Sequence, residues 1–176
     1  MIKDKRGLSE VVSTVLIVMI TISAIAILAG FLVPFVKDRL SKGSECTSYG
    51  EFYTFDESFK YNCYNATSGD NIYLVSIKKS TDTALENNSD ELRIVFKTES
   101  GEQKTLPVKN GGISSNLAGS IVLYGENSLR VPKAGGTLTY IYNASSSEIY
   151  ESAEVYSVLK SGRICEQKDF INLRRC

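Results

Sequence analysis

Hydrophobic residues are arranged in two ways along this chain, and the change comes near residue 43. From Val11 to Val36 there are 26 residues without a charge. The polar side chains in that run are the hydroxyls Ser13, Thr14, Thr21 and Ser23, and Pro34 interrupts it late. A segment apolar on every side of a helix calls for apolar surroundings, either a bilayer or other helices. At about 1.5 Å per residue it measures roughly 39 Å, against a hydrocarbon layer of about 30 Å. The helix is expected from near Ser9 to about Lys42, with Gly43 as its stop signal. Pro34 removes the hydrogen bond to the Gly30 carbonyl and predicts a kink rather than an end. Ala26 and Gly30 stand four apart, with Ser23 and Ala29 nearby. That spacing admits close approach by another helix, although small residues are also simply common in membrane helices.

After Gly43 the period becomes two. Residues 43–50 are expected to be a linker tied down by Cys46. Candidate strands follow at Glu51–Phe55, Asn71–Lys79, Glu91–Thr98, Ser120–Tyr124, Thr137–Tyr142, Ala153–Leu159 and Arg163–Glu166. Leu92, Ile94 and Phe96 alternate with Arg93 and Lys97, which puts one face inward and one outward. Turn signals separate the strands at Ser100-Gly101-Glu102, Lys109-Asn110-Gly111-Gly112, Lys133-Ala134-Gly135-Gly136 and Lys160-Ser161-Gly162. About seven short strands at this spacing predict an antiparallel β-sandwich of immunoglobulin-like kind. The expected class is therefore α+β, a long hydrophobic N-terminal helix followed by a β-sandwich head. Tyr140, Tyr142, Tyr150 and Tyr156 are read as half-buried strand residues.

Composition adds orientation and compartment. The 176 residues leave 134 after Lys42, enough for one domain with a core of its own. The net charge is zero and no Lys/Arg cluster is dense, so nucleic-acid binding is not predicted. The first seven residues net +2 and the remainder −2. Basic residues before an apolar span hold the N-terminus in the cytoplasm and send the large C-terminal part outside. All four cysteines, Cys46, Cys63, Cys165 and Cys176, follow the span, which reads as two disulfides on the outer side. Three pairings exist. The two sequential ones, Cys46–Cys63 and Cys165–Cys176, are favoured; the rival ties the first segment of the head to its last strand. Three Asn-x-Ser/Thr triplets, at Asn65, Asn87 and Asn143, also lie in this part and mark candidate glycosylation sites.

An enzyme is not predicted. The chain has no histidine, which excludes Ser-His-Asp and Cys-His arrangements and the commonest metal ligand. The cysteine spacing fits no zinc pattern. The Gly111-Gly112 and Gly135-Gly136 pairs do not lead a strand into a helix, so they are loop glycines rather than phosphate cradles. No cofactor is expected.

The N-terminus carries the most informative chemistry. A secretory leader would end in a small-residue cleavage site after its apolar core, but here the apolar run continues well past Ala24-Ile25-Ala26. The sharp boundary instead precedes the helix, at Lys5-Arg6-Gly7-Leu8-Ser9-Glu10. This order of basic residues, glycine, hydroxyl, glutamate and apolar run resembles the class III signal sequence of type IV pilins, specifically the archaeal pilin and archaellin group. The resemblance covers roughly residues 3–40. It implies a signal peptide at 1–7, a filament-core helix at 8–42 and an extracellular head at 43–176. It further implies cutting by a prepilin peptidase between Gly7 and Leu8, with Glu10 setting subunit registration. The partners so implied are further copies of the chain in a helical filament, the pilus assembly machinery, and the cytoplasmic membrane before assembly. The rival expectation is a singly anchored extracellular binding or adhesion domain, or a minor pilin.

Overall fold

The computed structural model describes residues 6–66, 71–113, 119–144 and 149–176, the side chains of 6–10, 42–43, 113 and 166–168 excepted. The helix α1 spans Arg6–Thr47 and a short helix α2 spans Thr83–Glu86. The strands are β1 (Tyr53–Phe55), β2 (Cys63–Ala66), β3 (Asn71–Lys79), β4 (Ser89–Thr98), β5 (Gln103–Lys109) and β6 (Gly112–Ile113). They continue as β7 (Ile121–Leu123), β8 (Ser128–Leu129), β9 (Thr137–Ala144), β10 (Tyr150–Leu159), β11 (Ile164–Asn172) and β12 (Arg174–Arg175). The chain divides into two compact units, residues 1–44 and 45–176.

The head consists of two packed sheets and a two-stranded ribbon. One sheet runs β12-β2-β3-β9-β7, with β1 sharing an edge of β3 with β2. The other runs β11-β10-β4-β5, and β6 pairs with β8. All pairs are antiparallel except β12 with β2. Between the sheets lies one hydrophobic core. Its centre is aromatic: Tyr73 of β3 lies 5.5 Å from Phe96 of β4, and Phe96 stacks on Tyr142 of β9 at 5.1 Å. Tyr140, Tyr142 and Tyr150 are buried rather than half-buried, and Tyr156 is half-buried as expected.

Three expectations are corrected. First, α1 does not stop at Gly43 but runs to Thr47. A glycine inside a helix costs about 1 kcal/mol, and contacts from the head outweigh it. Cys46 is bonded to Cys165, and the Arg163 guanidinium donates to the Glu45 carboxylate at 2.6 Å. The segment read as a linker is thus the last turn of the helix and the turn after it.

Second, the disulfides are Cys46–Cys165 and Cys63–Cys176, with Cα atoms 5.1 and 5.2 Å apart. The favoured sequential pairing is overturned. Strand pairing decides the outcome: β12 lies beside β2, with Arg174 opposite Cys63, while β11 begins beside the end of α1. The terminal residue is anchored, and the Cys176 N–H also donates to the Tyr64 carbonyl at 2.9 Å.

Third, the sandwich holds strands that the sequence pattern hides. β5 contains Pro107 and alternates only at Leu106 and Val108, which suits an edge strand. β11 extends to Asn172 through the polar stretch Glu166-Gln167-Lys168-Asp169.

Candidate functional site

The surface of α1 is the first candidate. Between Val11 and Leu40 its large apolar side chains, among them Ile17, Ile27 and Phe31, are exposed, and the helix is long and apolar enough to cross a membrane. Three of its hydroxyls find partners within it: Thr14 donates to the Val11 carbonyl at 2.9 Å, Thr21 to Val18 at 2.8 Å and Ser23 to Met19 at 2.8 Å. These three hydroxyls are therefore satisfied within the helix, as an apolar environment demands. The helix also continues through Pro34.

Two faces of α1 differ in chemistry. Phe31 and Phe35 stack with ring centroids 6.4 Å apart, and the Arg39 guanidinium lies 5.2 Å over Phe35. At 3.6 residues per turn, Ala26 and Gly30 fall on roughly the opposite side. A methyl group added at Gly30 would meet nothing within 4 Å, so the backbone there is open to a neighbour. Gly7, Leu8 and Glu10 lie in the first turns of the helical backbone, and their side chains lie outside the described residues. Met1–Lys5 are likewise outside them.

The head contributes a different kind of chemistry. The outer face of the four-stranded sheet is a lattice of ion pairs. Glu91 receives Lys109 at 2.6 Å and Arg93 at 3.3 Å, and Glu154 receives Lys97 at 2.9 Å and the Tyr156 hydroxyl at 2.7 Å. Lys79, at the end of β3, has a buried side chain whose ammonium meets Glu86 at 3.0 Å and lies 5.2 Å from the Phe52 ring centre. The short helix α2 exists to present that glutamate: Asp82 caps it by accepting from the Ala84 N–H at 2.9 Å. These charges are held by partners and serve the fold. Among the described residues no group of three or more His, Cys, Asp or Glu side chains converges.

Gly111 and Gly135 sit in turns as expected, while Gly112 opens β6. Gly135 has φ +71° and donates to the Lys79 carbonyl, while Gly111 has φ +77° and donates to Leu129.

The sequons fall in three settings. Asn87 is exposed at the C-terminal end of α2. Asn65 is exposed on β2, and Asn143 is half-buried on β9 with its amide oxygen enclosed and without a hydrogen bond. Thr67 and Ser145, which complete two of the triplets, lie outside the described residues. The register brings Asn65 and Asn143 into one row, each opposite Ile72 of β3. Their separation of 78 positions in sequence hides that relationship. Compared with known proteins, the chain matches no family model and no curated protein.

Proposed function

We propose that the protein is a structural subunit of an archaeal type IV pilus-like surface filament, assembled through α1 after removal of residues 1–7. The observation that carries this reading is the charge-free run Val11–Val36, whose large apolar side chains are exposed, following closely on the Lys5-Arg6-Gly7-Leu8 boundary. A helix apolar on every side needs lipid or other helices around it. In the precursor the bilayer supplies those surroundings, with the basic N-terminus inside and the disulfide-bonded head outside. In the filament neighbouring helices replace the lipid, and the heads coat the exterior. Subunits related by a rotation and rise that do not close form an open helical assembly.

Within this reading, Gly7 and Leu8 flank the bond cut by a prepilin peptidase. Glu10 sits close to the new terminus and pairs with the freed amine of a neighbour's Leu8, which removes the cost of an isolated carboxylate in an apolar core. Ala26 and Gly30 admit the neighbouring helix. The head is immunoglobulin-like in architecture and carries no catalytic role.

N-terminal sequencing or intact mass of protein from its own cells tests the reading. A mature chain beginning at Leu8, found in sheared filaments, is the expected result. Retention of Met1–Gly7 would instead identify a singly anchored surface domain.

A further inference from the structure

Beside the Cys63–Cys176 disulfide, an open groove of about 650 Å³ runs between the 57–62 loop and the ends of β11 and β12. Phe59 and Phe170 line it, and their rings are exposed at 47% and 51%. Lys60, Arg174 and Arg175 line it too, against one acidic side chain, Glu57. All four charged residues are exposed, and none is ion-paired to another described residue. They differ in this from Glu91 and Glu154, whose charges are matched within the head.

The loop that carries Phe59 and Lys60 is held at both ends. The Asp56 N–H donates to the Ser76 carbonyl at 2.8 Å, and the Thr137 hydroxyl donates to the Asp56 carboxylate at 2.7 Å. The Asn62 amide donates to the Asp56 carbonyl at 2.9 Å and accepts the Ser76 N–H at 2.8 Å. A partner therefore meets a surface already ordered, which lowers the cost of binding. Exposed aromatic rings beside arginines are the composition of an interface centre.

The opposite edge of the four-stranded sheet bears the opposite charge. In the β4–β5 turn, Glu99 and Glu102 flank Ser100-Gly101; both are exposed, and neither is ion-paired to another described residue. The turn is firm as well. Gly101, at φ +88°, donates to the Thr98 carbonyl at 3.0 Å, and the Glu102 N–H donates to the Thr98 hydroxyl at 3.0 Å. Strand register sets this turn level with the groove. Asn172, which lines the groove, lies opposite Ser152; Ser152 lies opposite Lys97, and Lys97 opposite Gln103. Groove and turn thus stand on opposite edges of one sheet, three strand spacings or about 14 Å apart.

We propose that the groove receives the β4–β5 turn of a second copy of this chain, with Glu99 and Glu102 against Lys60, Arg174 and Arg175 over the Phe59 and Phe170 rings. The partner's charge is fixed by the three cations, and this head carries the matching acids on its own far edge. Unlike surfaces at one level on opposite edges make a head-to-tail contact, which repeats from copy to copy without using up either surface. Each exposed ion pair is worth little alone; the covered rings and the repetition supply the rest. The inference deepens the filament reading and takes its second copy from it.

Cells displaying the full-length protein are treated with a water-soluble carbodiimide, which joins a lysine amine to an adjacent carboxylate with no spacer. The dimer-sized band is expected to contain Lys60 joined to Glu99 or Glu102. Arg174→Glu with Arg175→Glu should lower that band about tenfold. Adding Glu99→Lys and Glu102→Lys should restore it, with position 99 or 102 now joined to 174 or 175. Intact disulfides and unchanged head melting establish folding in both variants. N-terminal sequencing of the same cells reads the filament proposal separately: a chain that keeps Met1–Gly7 overturns that reading, while the crosslink still reports the contact between heads. Native Lys60 joined to a different protein or to nothing, or a folded fourfold variant that stays uncrosslinked, would overturn the contact whatever the N-terminus.

Discussion

The Cys46–Cys165 disulfide fastens the last turn of α1 to the start of β11 across 119 residues of sequence. Glu45 and Arg163 reinforce the same junction at 2.6 Å. The last turn of α1 is thereby joined covalently to the sheet.

Non-reducing peptide mapping is expected to recover Cys46–Cys165 and Cys63–Cys176 and no sequential pair. The paired substitution Cys46→Ala with Cys165→Ala should cost about 2–4 kcal/mol, because so long a loop regains its freedom in the unfolded chain. Denaturant titration measures that loss. Amide exchange should rise at residues 44–47, where the staple and the Glu45–Arg163 pair oppose the helix-breaking tendency of Gly43.

The aromatic centre is the next place to probe. The buried Tyr150 N–H donates to the Tyr73 hydroxyl at 2.9 Å. Tyr73→Phe keeps the ring and removes the acceptor, leaving an enclosed N–H unpaired, at a cost of about 1–3 kcal/mol. Phe96→Ala opens a cavity between both sheets and should cost about 3–5 kcal/mol. Urea unfolding of the two variants should rank them in that order.

Alkaline stability follows from the phenols. Burial, the largest cause, pushes Tyr53 and Tyr156 each up to about 12, and it also raises Tyr140. Unfolded tyrosines ionise near 10, so above that pH the unfolded chain releases protons that the folded chain keeps. The stability these groups contribute is complete below about pH 10 and is lost as pH climbs toward about 12. Melting temperature should therefore be level near neutrality and fall beyond about pH 10, and Tyr53→Phe should make that fall shallower. At the acid end Asp56 acts with the opposite sign. A hydrogen bond from Ser58, and another from Thr137 at 2.7 Å, hold its carboxyl below the usual value, so its contribution disappears as pH drops below the ordinary carboxylate range.

The small-residue face of α1 gives a test confined to assembly. Gly30→Leu adds bulk where the helix has open space and Ala26→Leu adds it at an exposed position, so melting of the head should be unchanged. If neighbouring helices pack against that face, electron microscopy should show filaments lost or shortened. Normal filaments from both variants would remove these residues from the packing surface. Gly7→Leu gives the matching test at the other end: processing and filaments should both be absent, and filaments of normal length would sink the role assigned to Gly7.

Much of the head was legible in periodicity. β3 occupies Asn71–Lys79 as its alternation predicts, and β4 and β10 exceed their expected spans by two and three residues at their N-terminal ends. Where the pattern misled, a local signal was overruled from a distance. Pro107 is a residue disfavoured in strands, yet at a sheet edge the missing N–H costs nothing because no partner lies on that side. Asn65 lies outside every strand the pattern predicts, but β3 recruits its backbone through Cys63–Leu74 and Tyr64–Tyr73 pairing.

The sequence by itself determined the long apolar helix, the change of period after it, the inward faces of the main strands and the absence of histidine chemistry. These are local properties, since a run without charge or an alternation of two can be seen without knowing what it touches. Only the tertiary structure decided the disulfide partners, the true end of α1, and the row that joins Asn65 to Asn143 through Ile72. Each of those is a coincidence in space between residues far apart in the chain. Strand pairing creates such coincidences by spending many weak backbone hydrogen bonds at once, and no single stretch of sequence records the sum.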